Sequence, residues 1–178
     1  NDVNPFAINE EILGLELGYK YASRYLDVSV NAYRTTWANR VTGSSFIATQ
    51  KEVDAYGADL VQVGEIIYNT NYGVKQEHQG LELEFLTRPF SFLQVKGFAS
   101  VGDWVYHGES NTIVRNEDRV ELAVTKRDLT GIKVGDAAQT SYGAGMKYFV
   151  IKGLSVDADD RRYERLYGAL PSNAATLK

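Results

Sequence analysis

The chain has no cysteine in its 178 residues, which excludes disulfides, thiolate metal sites and thiol nucleophiles and leaves the redox compartment open. No apolar run approaches the roughly eighteen residues that a membrane-spanning helix needs, so any membrane reading has to be a β reading. The formal charge of -4, with no basic cluster of five or more residues, gives no support to nucleic-acid or polyanion binding. With two histidines, no His-Glu-x-x-His pattern, no nucleophile elbow and no phosphate-binding glycine loop, the sequence offers nothing to metal, acyl-transfer or nucleotide chemistry. Gly143-Ala144-Gly145 lacks the rest of a dinucleotide fingerprint. The expectation is a protein that is not an enzyme and carries no cofactor or metal.

What the chain does contain is alternation. Three times, a run of about ten residues alternating apolar and polar is followed by a short turn and a second such run. The runs are ILGLELGYKYA with YLDVSVNAYRTTW, HQGLELEFLTR with FLQVKGFASVGDW, and QTSYGAGMKYF with LSVDADDRRY. Because successive strand side chains point to opposite faces, Leu13, Leu15, Leu17, Tyr19 and Tyr21 share one face and Gly14, Glu16, Gly18 and Lys20 the other. The later runs repeat the rule: Val28 and Val30 oppose Asp27 and Ser29, Leu81, Leu83 and Phe85 oppose Glu82 and Glu84, and Val95, Ala99 and Val101 oppose Lys96 and Ser100. In the third pair Tyr142, Met146 and Tyr148 oppose Lys147, and Val156 and Ala158 oppose Asp157 and Asp159.

A soluble β-sandwich also alternates, but its strands run about five to six residues. Runs of nine to eleven suit a tilted strand crossing roughly 30 Å of hydrocarbon. The short and long connections also alternate, as in an outer-membrane barrel, and the abundance of tyrosine (12) and glycine (16) suits interfacial girdles and crowded inward faces. Tyr19, Tyr21 and Tyr148 near the short turns, and Trp37, Trp104 and Tyr106 near the long ones, are expected to form two such girdles. The predicted fold is therefore all-β: an antiparallel transmembrane β-barrel segment of about six long strands in three hairpins. Arg34, Asp103 and Asp160 continue the apolar faces. The first two lie far enough along their strands to reach headgroups, and Asp160, after only six residues, is the exception.

Six strands cannot close a barrel whose smallest common form has eight. The start, NDVNPFAINEE, has no signal peptide, and the end, PSNAATLK, has no terminal aromatic strand. Residues 1–178 are thus expected to be a partial barrel domain of a larger protein, or six strands contributed per subunit to an oligomeric barrel.

Particular segments carry a resemblance. PFAINEEILGLELGYKYASRYLDVSVNAYRTTW, EHQGLELEFLTRP, SVGDWVY and KVGDAAQTSYGAGMKYFVIKGLSVDAD, in that order, resemble strand pairs of TonB-dependent outer-membrane receptors, the last especially those of Bacteroidetes type. The resemblance covers nearly the whole chain. It implies a 22-stranded barrel in the outer membrane with an N-terminal plug domain inside it. Such a receptor imports a scarce ligand (siderophore, glycan, vitamin or peptide) with energy from the TonB complex acting through the plug. This chain would supply strands of the C-terminal half, with neither plug nor TonB box. The turns Ala22 to Arg24, Arg88 to Ser91 and Val150 to Gly153 would face the periplasm, and the stretches Ala38 to Gln76 and Tyr106 to Ala138 the outside. Implied partners are the plug, the remaining strands, the TonB complex, outer-membrane lipid and lipopolysaccharide, and a surface lipoprotein.

Glu16, Lys20, Asp27, Glu82, Glu84, Lys96, Lys147, Asp157 and Asp159 are the expected lumen-facing charges. Their mixed signs suit a wall gripping a folded plug through ion pairs worth about 0 to 1 kcal/mol each where solvated. Glu82 and Glu84 share a face at the spacing of a carboxylate pair, but solvated or paired lumen carboxylates explain them better than catalysis. His78 and His107, lacking matching carboxylates, make a poor metal site. Ligand contacts are expected from the long connections: Tyr56, Tyr68, Asn69, Asn71 and Tyr72 in the first, with Trp104, Tyr106 and His107 at the base of the second. These aromatics and amides suit sugars, catecholates or peptides equally, and packing between the connections accounts for them equally well. The rival readings are a passive porin and a soluble secreted β-domain that binds a partner.

Overall fold

The computed structural model describes residues 8–135 and 137–168. The opening segment to Ala7, Asp136 and the PSNAATLK tail lie outside the described residues. The described chain is all-β apart from one short helix: β1 (Glu11–Ala22), β2 (Leu26–Ile47), α1 (Gln50–Tyr56), β3 (Ile66–Phe90), β4 (Leu93–His107), β5 (Glu109–Arg115), β6 (Glu121–Asp128), β7 (Ala138–Ile151) and β8 (Leu154–Leu166). They form one open antiparallel sheet ordered β1-β2-β3-β4-β7-β8, with the β5–β6 hairpin added to the far end of β3. Among the described residues the sheet does not close into a barrel; β1 and β8 are the free edges of its main path, and β6 is the outer strand of the added hairpin.

The six alternating runs all form strands, and the three short turns fall where the pattern places them. The long connections differ from expectation. β2 and β3 continue well past the predicted runs, to 22 and 25 residues, and the second connection folds into β5 and β6, so there are eight strands rather than six. The cause is local: TGSSFI and IIYNTN pair with each other without strict alternation, because α1 packs over one side of this extension and polar residues there find partners. Asn71, for example, donates to Thr42 Oγ1 at 3.3 Å and accepts from Thr112 Oγ1 at 2.7 Å, making a side-chain ladder across three strands.

Register confirms the two faces. Tyr19 pairs with Val30, Val30 with Leu83, Leu83 with Ala99 and Ala99 with Tyr142, a continuous apolar row. All nine charges named above lie on the opposite face, since each is in register with, or two places from, another member of that face. The three exceptions on the apolar face are each paired: Arg34 with Glu77 at 2.9 Å, Asp103 with Lys133, and Asp160 with Arg162 at 3.3 Å.

The strands are also staggered. Ala22, Asp27, Leu86, Lys96, Gly145 and Asp159 lie on one row. From that row β1 ends at once, while β3 runs on to Phe90, β7 to Ile151 and β8 back to Leu154. The short-turn edge thus steps by about one residue, roughly 3.3 Å, for each strand spacing of about 4.8 Å, which corresponds to strands inclined by roughly 35°.

The buried core is not where the apolar runs are. Its two clusters sit at the far end: Ala48, Val61, Ile67 and Val114 beneath α1, and Val74, Tyr106, Leu129 and Val134 just below them. The apolar face of the six runs is uncovered, with Leu17 77% exposed and Leu81 61%. Between this sheet and its far extension runs a line of residues with positive φ, Asn39, Gly73, Gly108 and Gly131, one in each passing segment. Three are glycines, which take that conformation without a Cβ clash. There the ladder of β2 and β3 shifts register and β3 changes partner from β4 to β5.

At the start of α1, Glu52 accepts from the backbone N–H and the hydroxyl of Thr49, at 2.9 and 2.6 Å. The Thr49 hydroxyl and backbone bonds hold this carboxyl below its ordinary value. A depressed value means that the cap's stabilisation is present at neutral pH and is lost as pH falls through the folded-state value. Amide exchange in α1 is expected to accelerate there in the native chain, and Glu52→Gln should remove that acid dependence.

Candidate functional site

The polar face carries a continuous patch built by register. Its top row is Trp37 and Gln76 with Tyr106, and the next is Thr35, His78 and Trp104. Below come Glu16, Tyr33, Gly80 and Gly102, then Gly18, Asn31, Glu82 and Ser100, then Lys20, Ser29, Glu84 and Phe98. Trp37, Trp104 and Tyr106 therefore do not belong to a girdle on the apolar face, as expected above; they point to the polar side. The reason is parity. Trp37 is an even number of residues from Asp27, and Trp104 and Tyr106 from Lys96, so the alternation that places the charges places these rings with them.

The rings touch. Trp37 and His78 lie with centroids 4.5 Å apart and tilted, and His78 stacks on Trp104 at 4.9 Å. Trp104 Nε1 donates to Tyr33 Oη at 2.9 Å. This arrangement needs glycine at two places: a Cβ on Gly80 would come within 2.7 Å of Tyr33 Oη, and one on Gly102 within 2.6 Å of Trp104 Nε1. The Tyr33 hydroxyl and the Trp104 ring thus occupy the space over the two glycines. At the rim, Arg40 bonds Gln76 Oε1 at 2.6 Å and lies 6.0 Å from the Trp37 ring.

Trp104 is also fixed from behind. Gln139, 1% exposed, accepts from the Trp104 N–H at 3.1 Å and donates to the carbonyls of Trp104 and Val134, both at 3.0 Å. The side chain does the work of a ladder residue where β4 and β7 have ceased to pair. Gln139→Ala would take the partner from the Trp104 N–H and the Val134 carbonyl, while the Trp104 carbonyl keeps the Val134 N–H at 2.9 Å; the cost is about 1–3 kcal/mol for each group left buried. The expected result is loss of the Trp104 near-ultraviolet circular dichroism band and a lower urea midpoint.

Beneath the rings, Glu16, Glu82 and Glu84 line a shallow groove of about 330 Å³ with Asn31 and Ser29. Among the described residues none of the three carboxylates has an ion-pair partner, whereas Asp27, Asp157 and Asp159 pair with Arg88 at 2.9 Å, Lys147 at 3.6 Å and Lys96 at 2.8 Å. Lys20 stands at the lower end, beside Glu84.

Of the expected ligand residues, only Trp104 and Tyr106 join this patch, and Tyr106 is 6% exposed. Asn69, Asn71 and Tyr72 are buried in the β3 extension, Tyr56 packs on the cluster beneath α1, and Tyr68 carries the Arg119 guanidinium 4.1 Å from its ring centroid. His107 is half-buried at the end of β4, on the other face. Tyr33, Trp37, His78, Gly80 and Gly102 were absent from the sequence-based ligand set, and counting parity along each strand would have found them. No group of histidines and carboxylates able to hold a metal occurs among the described residues. No protein-family model matches the chain, and no curated protein and no solved structure gives a significant match.

Proposed function

We propose that this chain is part of the wall of an outer-membrane barrel, and that the barrel is a TonB-dependent receptor importing a scarce ligand. The observation that carries the reading is the uncovered apolar face: Leu13, Leu15, Leu17, Leu81, Val101, Met146 and Val156 are all more than half exposed on one face of one sheet. Soluble proteins rarely expose contiguous apolar patches beyond a few hundred Å². Lipid is the solvent that suits such a face. The strand inclination of roughly 35° falls in the range of membrane barrels, and the free edges at β1 and β8 suit further strands of the same receptor. The receptor reading over a bare pore rests on the motif resemblance and on the unpaired carboxylates, which suit a plug presenting basic residues. The TonB complex, acting through that plug, would supply the energy.

The test uses the full-length protein in its native host. Outer membranes extracted with carbonate and urea should retain it, and purified protein in liposomes should pass no small solutes. Release into the soluble fraction would mean a secreted β-domain, and steady solute flux would mean a passive porin.

A further inference from the structure

We infer that the upper outward face of β8 is a contact between two copies of this protein within the membrane, an inference that rests on the barrel reading above. The apolar face stops early there. On β1, β3, β4 and β7 that face carries no charge within nine residues of the short turns, and on β2 it reaches Arg34, eight residues along and bonded to Glu77 at 2.9 Å. On β8 it runs Leu154, Val156 and Ala158 and then turns to Asp160, Arg162 and Glu164 in succession. Register excludes a slip of parity: Asp160 pairs with Ala144 and Arg162 with Tyr142, and through Tyr142 and Ala99 the row of Arg162 runs to Leu83.

Depth makes this arrangement unlike a lipid surface. Asp160 and Arg162 lie six and eight residues from Leu154. On strands inclined by roughly 35° that is roughly 16 and 22 Å from the short-turn edge, inside an apolar band about 25 Å tall. Ionisable side chains at such depth are rare and face protein or water. Here Arg162 bonds Asp160 at 3.3 Å and Glu164 accepts from Tyr142 Oη at 2.7 Å, yet the side chains of Asp160 and Arg162 remain 74% and 65% exposed. A further strand paired to β8 would lie beside it in the sheet and cover its edge, not this face.

The signs of the charges select the occupant. Acid, base and acid follow one another at every second residue, about 7 Å apart along the strand. Such a series complements itself when displaced by one position. A two-fold axis along the membrane normal brings the same patch of a second copy opposite, an isologous contact. Because the two inclined strands then cross, Arg162 of each copy meets Asp160 or Glu164 of the other diagonally. Ala158 along the strand and Ala144 across the ladder flank Asp160 with short side chains, which lets the two faces approach. A partner of other sequence would need its own series of opposite sign; a second copy already carries it.

The experiment uses the full-length protein, first in native outer membranes and then in detergent. The chain has no cysteine, so Ala158→Cys places one thiol just below the charges and Leu17→Cys one on the same face away from them, each in a background with no other cysteine. A short bis-maleimide should join two copies through Ala158→Cys and not through Leu17→Cys, and light scattering should give twice the protomer mass. Arg162→Glu should abolish both signals. Reversing all three charges, Asp160→Lys with Arg162→Glu and Glu164→Lys, should restore them, because the reversed series still complements itself. Heat-modifiable migration shows which variants have assembled. A wild-type monomer, no cross-link through Ala158→Cys, association untouched by Arg162→Glu, or a monomeric reversed triple overturns the inference; the last would assign the patch to a foreign partner. If Arg162→Glu fails to assemble, cross-linking through Ala158→Cys in the otherwise unchanged chain decides. Carbonate-resistant insertion of a monomer sinks this inference and leaves the receptor standing. Dimerisation through the same residues without detergent keeps the contact and sinks the receptor.

Discussion

In the proposed outer-membrane barrel, Leu83→Arg is expected to prevent assembly. Leu83 is central on the apolar face, in register with Val30 and Ala99, and seven residues from the short-turn end of β3. An arginine there would place a guanidinium near the bilayer midplane, at about 2–4 kcal/mol. None of the charges present nearby could answer it, since Glu82 and Glu84 project to the other side. The adjacent Glu82→Gln should assemble normally, because the polar face already carries uncharged residues such as Asn31 and Ser29 in the same rows. Heat-modifiable migration of outer-membrane fractions on gels reads both variants. Normal assembly of Leu83→Arg with failure of Glu82→Gln would invert the two faces.

Ile67→Ala should unfold the far extension and leave the inclined sheet intact. Ile67 is fully buried among Ala48, Val61 and Val114, with Phe46, Val53 and Tyr56 packed around them. Truncating it removes three carbons from a core formed almost wholly outside the six alternating runs, at about 2–5 kcal/mol. That cluster is small, so the loss is expected to melt α1 and open the segment between β2 and β3 to protease while the β1–β2 turn region keeps its amide protection. Loss of protection throughout would show that the extension and the sheet fold as one cooperative unit. Leu17→Ala supplies the contrast: at 77% exposure it leaves no cavity, and its effect should be small.

The strand runs were legible because a face in contact with a single medium forces strict period-two alternation, and LGLELGYK and GLELEF keep it without error. The extension was not legible. In IIYNTNYG, buried residues alternate with partly exposed ones, yet the buried set includes Asn69 and Asn71 beside Ile67, so polarity ceases to report burial. A side-chain ladder such as Thr42, Asn71 and Thr112 makes asparagine as much a core residue as isoleucine, and composition alone reads it as loop. The ring patch fell between these cases. Its parity was plain in the sequence, but tryptophans near strand ends also fit a lipid interface, and only the register between Thr35, His78 and Trp104 brings the rings into one line.

The line of positive-φ residues at Asn39, Gly73, Gly108 and Gly131 divides the chain into two parts that answer to different selective demands. Below it, in the proposed barrel, nearly every outward position would be dictated by a solvent that does not change. Above it, a cap with a buried cluster of its own beneath α1 would, in the proposed receptor, meet whatever the surroundings bring. Because the buried apolar packing across that line is confined to Leu129 against Val74, Tyr106 and Val134, the cap could be exchanged wholesale between chains by recombination at its edges while the sheet drifted slowly. Sequence comparison of such proteins would then show two rates of divergence with a boundary at these four residues.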